Sequence, residues 1–593
     1  MKILKTAANL AEKLCVGLCI LLTIMITVSA FAQVFTRFLL GGAWKWTDEA
    51  CRYCLVWLAM MGAALGVKRH AHLAIDVIVN RLPRALQQAI SCISFLAAAA
   101  FGCALAYTGI TLSKTVMQQK SAVMGLPMGI VYLAIPVFGA FLALFSFTDF
   151  WENVLTILGR PEKGGGEVMP AYFIALFAVF FALLLLGFPI AWSIGISSLV
   201  SILIKGNLAL VLIPQRLFVA TDSFTLLAIP FFILAGDLML QGGISKRLIN
   251  LALSLLGWMK YSMAYVTIVA SAFFGAISGS APATAAAIGS VMQEEMEKDH
   301  YDPDFAAFLG AISGTLGIII PPSIALVIFG TGTGTSVTKL FIASGVGGVI
   351  IALVYCLTAK LSLRKEESIK PHFSKIDWKE AGTALKDSFA GIFSPIIILG
   401  GIYSGVFTPT EAAVIAVVYS LIVGFFIYKE LTVKKTITCI VNSAVTSGMV
   451  LILVATASLF SWIMTAAGTG NMLQQLVLSS NLNKVTFFLI TNVIYLVLGM
   501  IMETIPIILL TSPIFLPIAV MLGIDPIHFG VVTVFNLAFG IVTPPFGMNL
   551  FVASGYSKRN LVDMVQRGKY YYAIGFALII VLSLCPELIM WAV

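Results

Sequence analysis

Two short segments of this 593-residue chain carry residues that could hold an ion. One reads Ser313-Gly314-Thr315-Leu-Gly317, then Ile-Ile-Ile-Pro321-Pro322. The other reads Asn536-Leu-Ala-Phe-Gly540, then Ile-Val-Thr543-Pro544-Pro545. Gly and Pro-Pro within an apolar run unwind a helix, because Pro lacks an N–H and its ring clashes with the preceding turn. Carbonyls freed in this way cannot stay unsatisfied at membrane depth. A sodium ion, a hard cation that carbonyl and hydroxyl oxygens can surround, would satisfy them. The plainer alternative is that Gly and Pro only let the helices kink and pack. One break would suit that alternative; two at related positions, each beside a hairpin, favour an ion and substrate site.

The local charge narrows the chemistry. Between Val485 and Ser557 there is no Lys or Arg, and the acidic residues are Glu503 and Asp525. Between Tyr261 and Thr338 the one Lys or Arg is Lys298. An anionic substrate would then be held by half-helix N-termini and bound cations rather than by an arginine clamp. A proton relay needs chains of intramembrane carboxylates and histidines. Glu503 alone is a poor chain, so sodium is favoured.

Composition sets the class. Sixty per cent of residues are hydrophobic, 11% are charged and the mean hydropathy is +1.02. A soluble chain would carry roughly 25% charged residues. A soluble enzyme, a nucleic-acid binder and a disordered scaffold are excluded. Apolar stretches of about 20 residues recur throughout, which predicts an all-α polytopic membrane protein rather than a barrel. The net charge of +9 sits in short loops and marks cytoplasmic connections. Lys2, Lys5 and Lys13 precede an apolar run from Val16 to Leu40, too long for a cleavable signal; this predicts a retained first helix with its N-terminus inside.

Residues 1–158 read as a four-helix small domain with spans near 14–40, 53–68, 86–112 and 128–150. A Gly-rich linker over 159–168 leads into a larger block, 169–593. That block contains an internal repeat. Asp302-Pro303 precedes Pro321-Pro322 as Asp525-Pro526 precedes Pro544-Pro545, with an offset of 223 residues. The same offset aligns 170–187 and 189–205 with 391–405 and 411–428, 222–241 with 445–464, and amphipathic 245–260 with 468–483. The segment 261–297, broken by Ser278-Gly279-Ser280-Ala281-Pro282-Ala283, reads as a re-entrant hairpin. Its counterpart is 485–522, with a tip near Met502-Glu503-Thr504-Ile-Pro506. Each repeat (about 169–361 and 389–593) then has five spans and a hairpin. This odd parity inverts the second copy, and seven Lys/Arg between Lys360 and Lys386 agree with it. The total is about 14–15 transmembrane helices plus two re-entrant hairpins. One crossing does not balance: four spans leave residue 160 inside, whereas the inverted arrangement needs residue 168 outside. Either the junction holds an extra helix or one span is miscounted.

Other conspicuous residues have structural readings. Asp302 and Asp525 fit N-caps with Pro at the first helical position, and Thr408-Pro-Thr-Glu411 has capping-box spacing. His70 and His72 lie in a basic loop facing solvent or headgroups, and His528 follows a cap. Trp44, Trp46 and Trp57 suit interface anchoring. Cys51 and Cys54 form a CxxC on a predicted membrane helix, with no second pair to complete a metal site; they read, with the other cysteines, as small buried hydrophobes.

The chain resembles the tripartite ATP-independent periplasmic (TRAP) transporters, as a fusion of their small and large membrane subunits. In the first block Trp46-Thr-Asp-Glu49 and His72-Leu-Ala-Ile-Asp76 are similar to that family's pattern. Stronger matches follow in Ala228-Ile-Pro-Phe-Phe232, Ser278-Gly-Ser-Ala281, Ile320-Pro-Pro-Ser323, Thr408-Pro-Thr-Glu-Ala-Ala413, Gly523-Ile-Asp-Pro526 and Thr543-Pro-Pro545. The resemblance implies a multi-pass importer of the bacterial inner membrane, not an enzyme, in which a transport domain of hairpins and broken helices moves as an elevator. A separate periplasmic substrate-binding protein would deliver a small organic anion, and sodium would drive import with no other cofactor. Membrane lipid surrounds the chain, and no nucleic acid is involved. The short linker departs from the pattern, because fused members are expected to have a connecting helix there. One sodium site is expected among Ser278, Gly279, Ser280, Ser313, Gly314, Thr315 and Gly317, and a second among Glu503, Thr504, Asn536, Gly540 and Thr543. The anion would sit by Ser280, Ala281, Pro282, Pro321, Pro322, Pro544 and Pro545. A carboxylate such as sialic acid or a C4-dicarboxylate, or a small sulfonate, fits such a site. The competing reading is a sodium-coupled anion transporter of the same type that works alone. A proton-pumping subunit would need a row of buried Lys, Glu and His, which the sequence lacks.

Overall fold

The structure, a computed structural model, describes residues 2–39, 42–69, 84–157, 171–206, 209–467 and 482–593. The linker 159–168, the loop histidines 70 and 72, and residues 468–481 of the second amphipathic stretch lie outside the described residues. Among the described residues the architecture is all helical apart from an isolated bridge between Lys120 and Pro127. Among the described residues twelve helices are long and apolar enough to cross a membrane. Shorter apolar helices join them, at Ile190–Lys205, Ser262–Ser278 and Pro526–Gly540 among others. The chain is a polytopic α-helical membrane protein.

The helices fall into two compact units. The first comprises Met1–Pro230 with Ile440–Leu473, and the second Phe231–Cys439 with Gln474–Val593. The first unit is built from α1 (Lys2–Leu39), α2 (Lys45–Lys68), α3 (Arg84–Thr115), α4 (Met128–Tyr132) and α5 (Ala134–Ile157). With them go α6 (Ala171–Leu185), α7 (Ile190–Lys205), α8 (Leu212–Thr221) and part of the long helix Val433–Ala466. Small residues set its contacts: Gly62 of α2 faces Ala444 and Gly448 of that long helix, backbone to backbone. Without a water-driven force between membrane helices, such close approach provides the van der Waals attraction. Polar anchors add to it. Arg52 reaches Asp48 at 3.0 Å and Asp222 at 2.8 Å. The buried Glu49 carboxylate accepts the backbone N–H groups of Val123 and Met124, each at 2.9 Å.

The second unit contains the two hairpins and the two broken helices. After α9 (Ala228–Gln241), which crosses the division, amphipathic α10 (Ile244–Leu256) turns Ile244 and Leu248 into a core with Met239, Ile277, Ala390 and Val423. The first hairpin runs through α11 (Ser262–Ser278), α12 (Ala281–Thr284), a π-helical turn at Ala285–Gly289 and α13 (Ser290–Lys298). The first broken helix is α14 (Pro303–Gly314), α15 (Leu316–Ile319) and α16 (Ile324–Thr333); α17 (Val337–Leu363) follows. Then come α18 (Trp378–Tyr403), α19 (Pro409–Ile422) and α20 (Val433–Ala466), of which residues up to Cys439 belong to this unit. The second hairpin is α21 (Lys484–Ile501) and α22 (Thr504–Met521). The second broken helix is α23 (Pro526–Gly540) and α24 (Met548–Ser557). Short α25 (Leu561–Arg567) meets α26 (Lys569–Leu584) at a 66° bend.

Capping chemistry starts the broken helices as expected. Asp302 accepts from the N–H groups of Asp304 and Phe305 at 3.0 and 2.9 Å, and Asp525 from those of Ile527 and His528 at 2.7 and 3.4 Å. Each has Pro at the first helical position. Thr408 and Glu411 close a reciprocal capping box on α19. Cys51 is buried, with its thiol toward the Ile26 carbonyl at 3.8 Å. Among the described residues no group of three or more His, Cys, Asp or Glu could hold a metal ion.

Candidate functional site

The first hairpin turns at Gly279, whose φ of +62° needs no Cβ, and Ser280 opens α12 as its N-cap. Ser278 Oγ lies 2.9 Å from Thr284 Oγ1, and Thr284 donates to the Ser280 carbonyl at 2.8 Å. This tip rests on the first break. A Cβ on Gly279 would come within 2.9 Å of the Pro322 carbonyl oxygen. One on Gly275 would come within 2.9 Å of Gly317 Cα, and one on Gly314 within 2.6 Å of Ala285 Cβ. Gly317 also faces the Ser280 carbonyl and Thr284. The structure therefore brings Ser278, Gly279 and Ser280 together with Gly314, Gly317 and Pro322. Thr315 turns elsewhere: its hydroxyl donates to the Ile312 carbonyl at 2.6 Å and lies 3.1 Å from Tyr355 Oη of α17.

The second hairpin repeats this geometry. Its first leg presents Gly499 to Gly540, as Gly275 is presented to Gly317, and Gly540 stands 223 residues after Gly317. The Gly547 N–H points to the Met500 carbonyl at 3.4 Å. Glu503 is the N-cap residue of α22 without a side-chain capping bond, half-buried, and among the described residues it has no hydrogen-bond or ion-pair partner. Thr504 is buried beside it. The Pro-Pro bonds at 321–322 and 544–545 are both cis. Exposure separates the two breaks: Pro321 and Pro322 are buried, whereas Pro544 and Pro545 are exposed. Ala281 is buried, and Ser280 and Pro282 are half-buried.

Five of the carbonyls at the breaks have donors close by. Pro322 removes the i+4 donor of Ile318, and Ser323 Oγ donates to that carbonyl at 2.6 Å. Ser344 of α17 donates to the Ile319 carbonyl. Pro545 removes the donor of Ile541, and the Asn549 backbone N–H takes its place at 3.0 Å. Tyr572 Oη serves Val542 at 2.7 Å, and the Gly540 carbonyl accepts from the Thr543 N–H at 2.9 Å. These five carbonyls have donors among neighbouring residues, which leaves side-chain oxygens as the groups an ion would engage.

Side-chain oxygens remain. Ser313 Oγ and Asn536 Oδ1 are buried and, among the described residues, have no hydrogen-bond partner. For Asn536 the orientation is set by its surroundings: Nδ2 donates to the carbonyl and Oδ1 of Asn492, each at 3.0 Å, and both are acceptors. Asn492 in turn donates to Ser583 Oγ at 2.9 Å. Thr543 Oγ1 donates to the Phe539 carbonyl at 2.8 Å and keeps lone pairs free. A hard cation accepts such oxygens, so the residues present fit one.

Asn492, Asn549, Ser344, Tyr572 and Ser583 are not singled out by the sequence, and Ser323 enters there only as the end of a motif. Their common signal is a polar residue inside an apolar run, which is costly in a membrane unless it has a partner. Sequence spacing does not reveal that partner when it is 44 or 91 residues away. Packing between the repeats is crossed, with α16 against α22 and α12 against α24. At one end of α14, Arg567 pairs with Asp302 at 2.6 Å and Arg559 with Asp304 at 3.9 Å. His528 is a buried structural residue, its Nε2 2.9 Å from the Leu582 carbonyl.

Comparison with known proteins places this chain. The model of the DctM component of the tripartite ATP-independent periplasmic transporters matches residues 177–588, and that of the DctQ component matches 26–156. The chain is 35% identical over 564 residues to the isethionate TRAP transporter permease protein DctMQ of Oleidesulfovibrio alaskensis, covering 92% of this chain and 88% of that one. It is 36% identical to the C4-dicarboxylate TRAP transporter large permease protein DctM of Vibrio cholerae, over 70% of this chain and 96% of that one. The sialic acid TRAP transporter permease protein SiaT of Haemophilus influenzae is 29% identical, over 94% of this chain and 95% of its own length. These relatives are named as transporter permeases, not enzymes. With two component models matched along one polytopic chain, this protein belongs to the TRAP transporter family, as an inner-membrane permease carrying both DctQ and DctM components.

Proposed function

We propose that the chain is the membrane component of a sodium-coupled importer that receives a small organic anion from a periplasmic substrate-binding protein. The small module over 1–158 and the large one over 169–593, joined through 159–168, divide the work. The hairpins and broken helices carry the substrate, and their movement against the remaining helices is of the elevator type. The observation that supports this best is the pair of repeat-related breaks, each held glycine to glycine against a hairpin leg. Each break has a buried side-chain oxygen, Ser313 Oγ or Asn536 Oδ1, without a partner among the described residues. Sodium at these oxygens would neutralise an anion in a region without Lys or Arg from Val485 to Ser557. The named substrates of the relatives, isethionate, C4-dicarboxylate and sialic acid, share an anionic group on a small polar frame. A carboxylate or small sulfonate is therefore the substrate class.

Uptake into proteoliposomes tests the reading, under an inward sodium gradient, with and without the cognate binding protein, across labelled isethionate, C4-dicarboxylates and sialic acid. Uptake that needs both sodium and the binding protein is expected. Sodium-driven uptake of free anion would replace the tripartite reading with a stand-alone transporter. Uptake indifferent to sodium would remove the ion from the mechanism.

A further inference from the structure

Asn549 stands where both breaks can be felt at once. Its backbone N–H takes the Ile541 carbonyl that Pro545 leaves without a donor, at 3.0 Å. Its side-chain Nδ2 reaches the other repeat and donates to the Ala311 carbonyl, also at 3.0 Å. Ala311 is open to it because the Thr315 N–H, its i+4 donor in a regular helix, turns to the Ile312 carbonyl instead. One residue thus closes carbonyls freed by both interruptions, two positions before Thr543 in one and two before Ser313 in the other. Asn549 is fully buried, and among the described residues its Oδ1 has no partner. The amide cannot be turned around, because the Ala311 oxygen accepts and must meet an N–H.

The link runs one way. At the repeat-related position the first copy has Leu326, and its own freed carbonyl, Ile318, is closed locally by Ser323. The helix that carries Asn549, α24, also packs on α14 and on the π-helical turn of the first hairpin. There its Tyr556 ring meets Gly289 and Gly310. We propose that Asn549 is a positioning residue that couples the two breaks, so that occupancy at Ser313 changes the affinity at Asn536 and the reverse. This rests on the sodium reading above. A coupling must be reciprocal, and a shared rigid contact between two local conformations can carry it.

The test is a double-mutant cycle read by sodium-dependent thermal unfolding of the purified full chain in detergent, with sodium chloride titrated against choline chloride. Ser313→Ala and Asn536→Ala are made singly and together, in the wild type and in Asn549→Asp. The aspartate keeps the shape and the backbone bond but cannot donate to Ala311. Asn549→Leu serves as a second background. In the wild type the shifts in half-saturating sodium should be non-additive by about fivefold or more, the scale of ordinary allosteric coupling. In Asn549→Asp they should become additive within twofold. Additivity already in the wild type, or undiminished coupling in both Asn549 backgrounds, overturns the assignment while leaving the sodium reading intact. A wild-type protein that no sodium concentration stabilises removes both.

Discussion

Gly499 and Gly540 meet backbone to backbone: a Cβ built on Gly540 would lie 2.8 Å from Gly499 Cα, and one on Gly499 would lie 3.0 Å from Gly540 Cα. No flexible side-chain end lies there to move aside, so any substituent forces the hairpin leg off the broken helix. Overpacking of this kind costs about 1–3 kcal/mol. Gly540→Ala and Gly499→Ala should each lower the unfolding temperature in detergent and reduce uptake together. Gly400→Ala, where the added methyl meets nothing within 4 Å, should leave both near wild type. A stable, active Gly540→Ala protein would show that this contact does not hold the site.

Ser280→Ala and Thr543→Ala probe the two breaks separately. Neither hydroxyl bears much of the fold: Ser280 Oγ caps the Ala283 N–H at a long 3.5 Å, and Thr543 Oγ1, just past the end of α23, bonds to the Phe539 carbonyl of its last turn. Folding should stay near normal. Half-saturating sodium for uptake should rise about 3- to 10-fold, the loss of one oxygen worth ~1 kcal/mol. Unchanged sodium titrations in both variants would sink the assignment of these residues.

Much of this site was legible because its grammar is local. Pro-Pro after Gly marks a break wherever it occurs, and Asp before Pro marks a helix start. The 223-residue offset tied the two copies together before any contact was known. What remained hidden was non-local. Ser344 serving Ile319, Tyr572 serving Val542 and Asn549 serving Ala311 all join residues distant in the chain. The π-helical turn at Ala285–Gly289 is hidden for another reason: Ala-Ala-Ala-Ile-Gly reads as ordinary helix, and nothing local marks the turn that lies beside Tyr556 and α14.

In the first unit, Arg52→Ala should destabilise more than Asp48→Asn. Arg52 serves Asp48 and Asp222 together, and its removal leaves the Asp222 carboxylate, mostly withdrawn from solvent, without its cation. Burial already pushes the Asp222 carboxyl above its ordinary range, and Arg52 is the principal group that opposes this. With about a fifth to a quarter of each side chain still reached by water, the pair warrants only about 1–2 kcal/mol. Equal unfolding temperatures for the two variants would show that the Asp222 pair contributes nothing.

Glu49→Gln keeps the size of the side chain but weakens the two bonds to the Val123 and Met124 N–H groups, since charge-assisted bonds are roughly twice as strong as neutral ones. The turn over Ser121–Leu126 should become a faster site for limited proteolysis, with helix content unchanged. Identical cleavage in wild type and variant would mean that the turn holds its shape by its own bonds, Ser121 N–H to Leu126 carbonyl at 2.8 Å among them.

Glu503 invites the opposite sign of stability change. Its carboxylate sits half-buried at the tip of the second hairpin with no hydrogen-bond or ion-pair partner among the described residues. Withdrawing an unpaired charge from water costs free energy, so Glu503→Gln should raise the unfolding temperature in sodium-free buffer. If the carboxylate faces the second sodium, the same variant should gain less from added sodium, with half-saturation raised about tenfold (~1.4 kcal/mol). The two readouts move in opposite directions, which separates an electrostatic role from a packing defect that would lower both. A Glu503→Gln protein with an unchanged sodium-induced shift would place the carboxylate away from the ion, leaving Asn536 and Thr543 as the side-chain oxygens of that break.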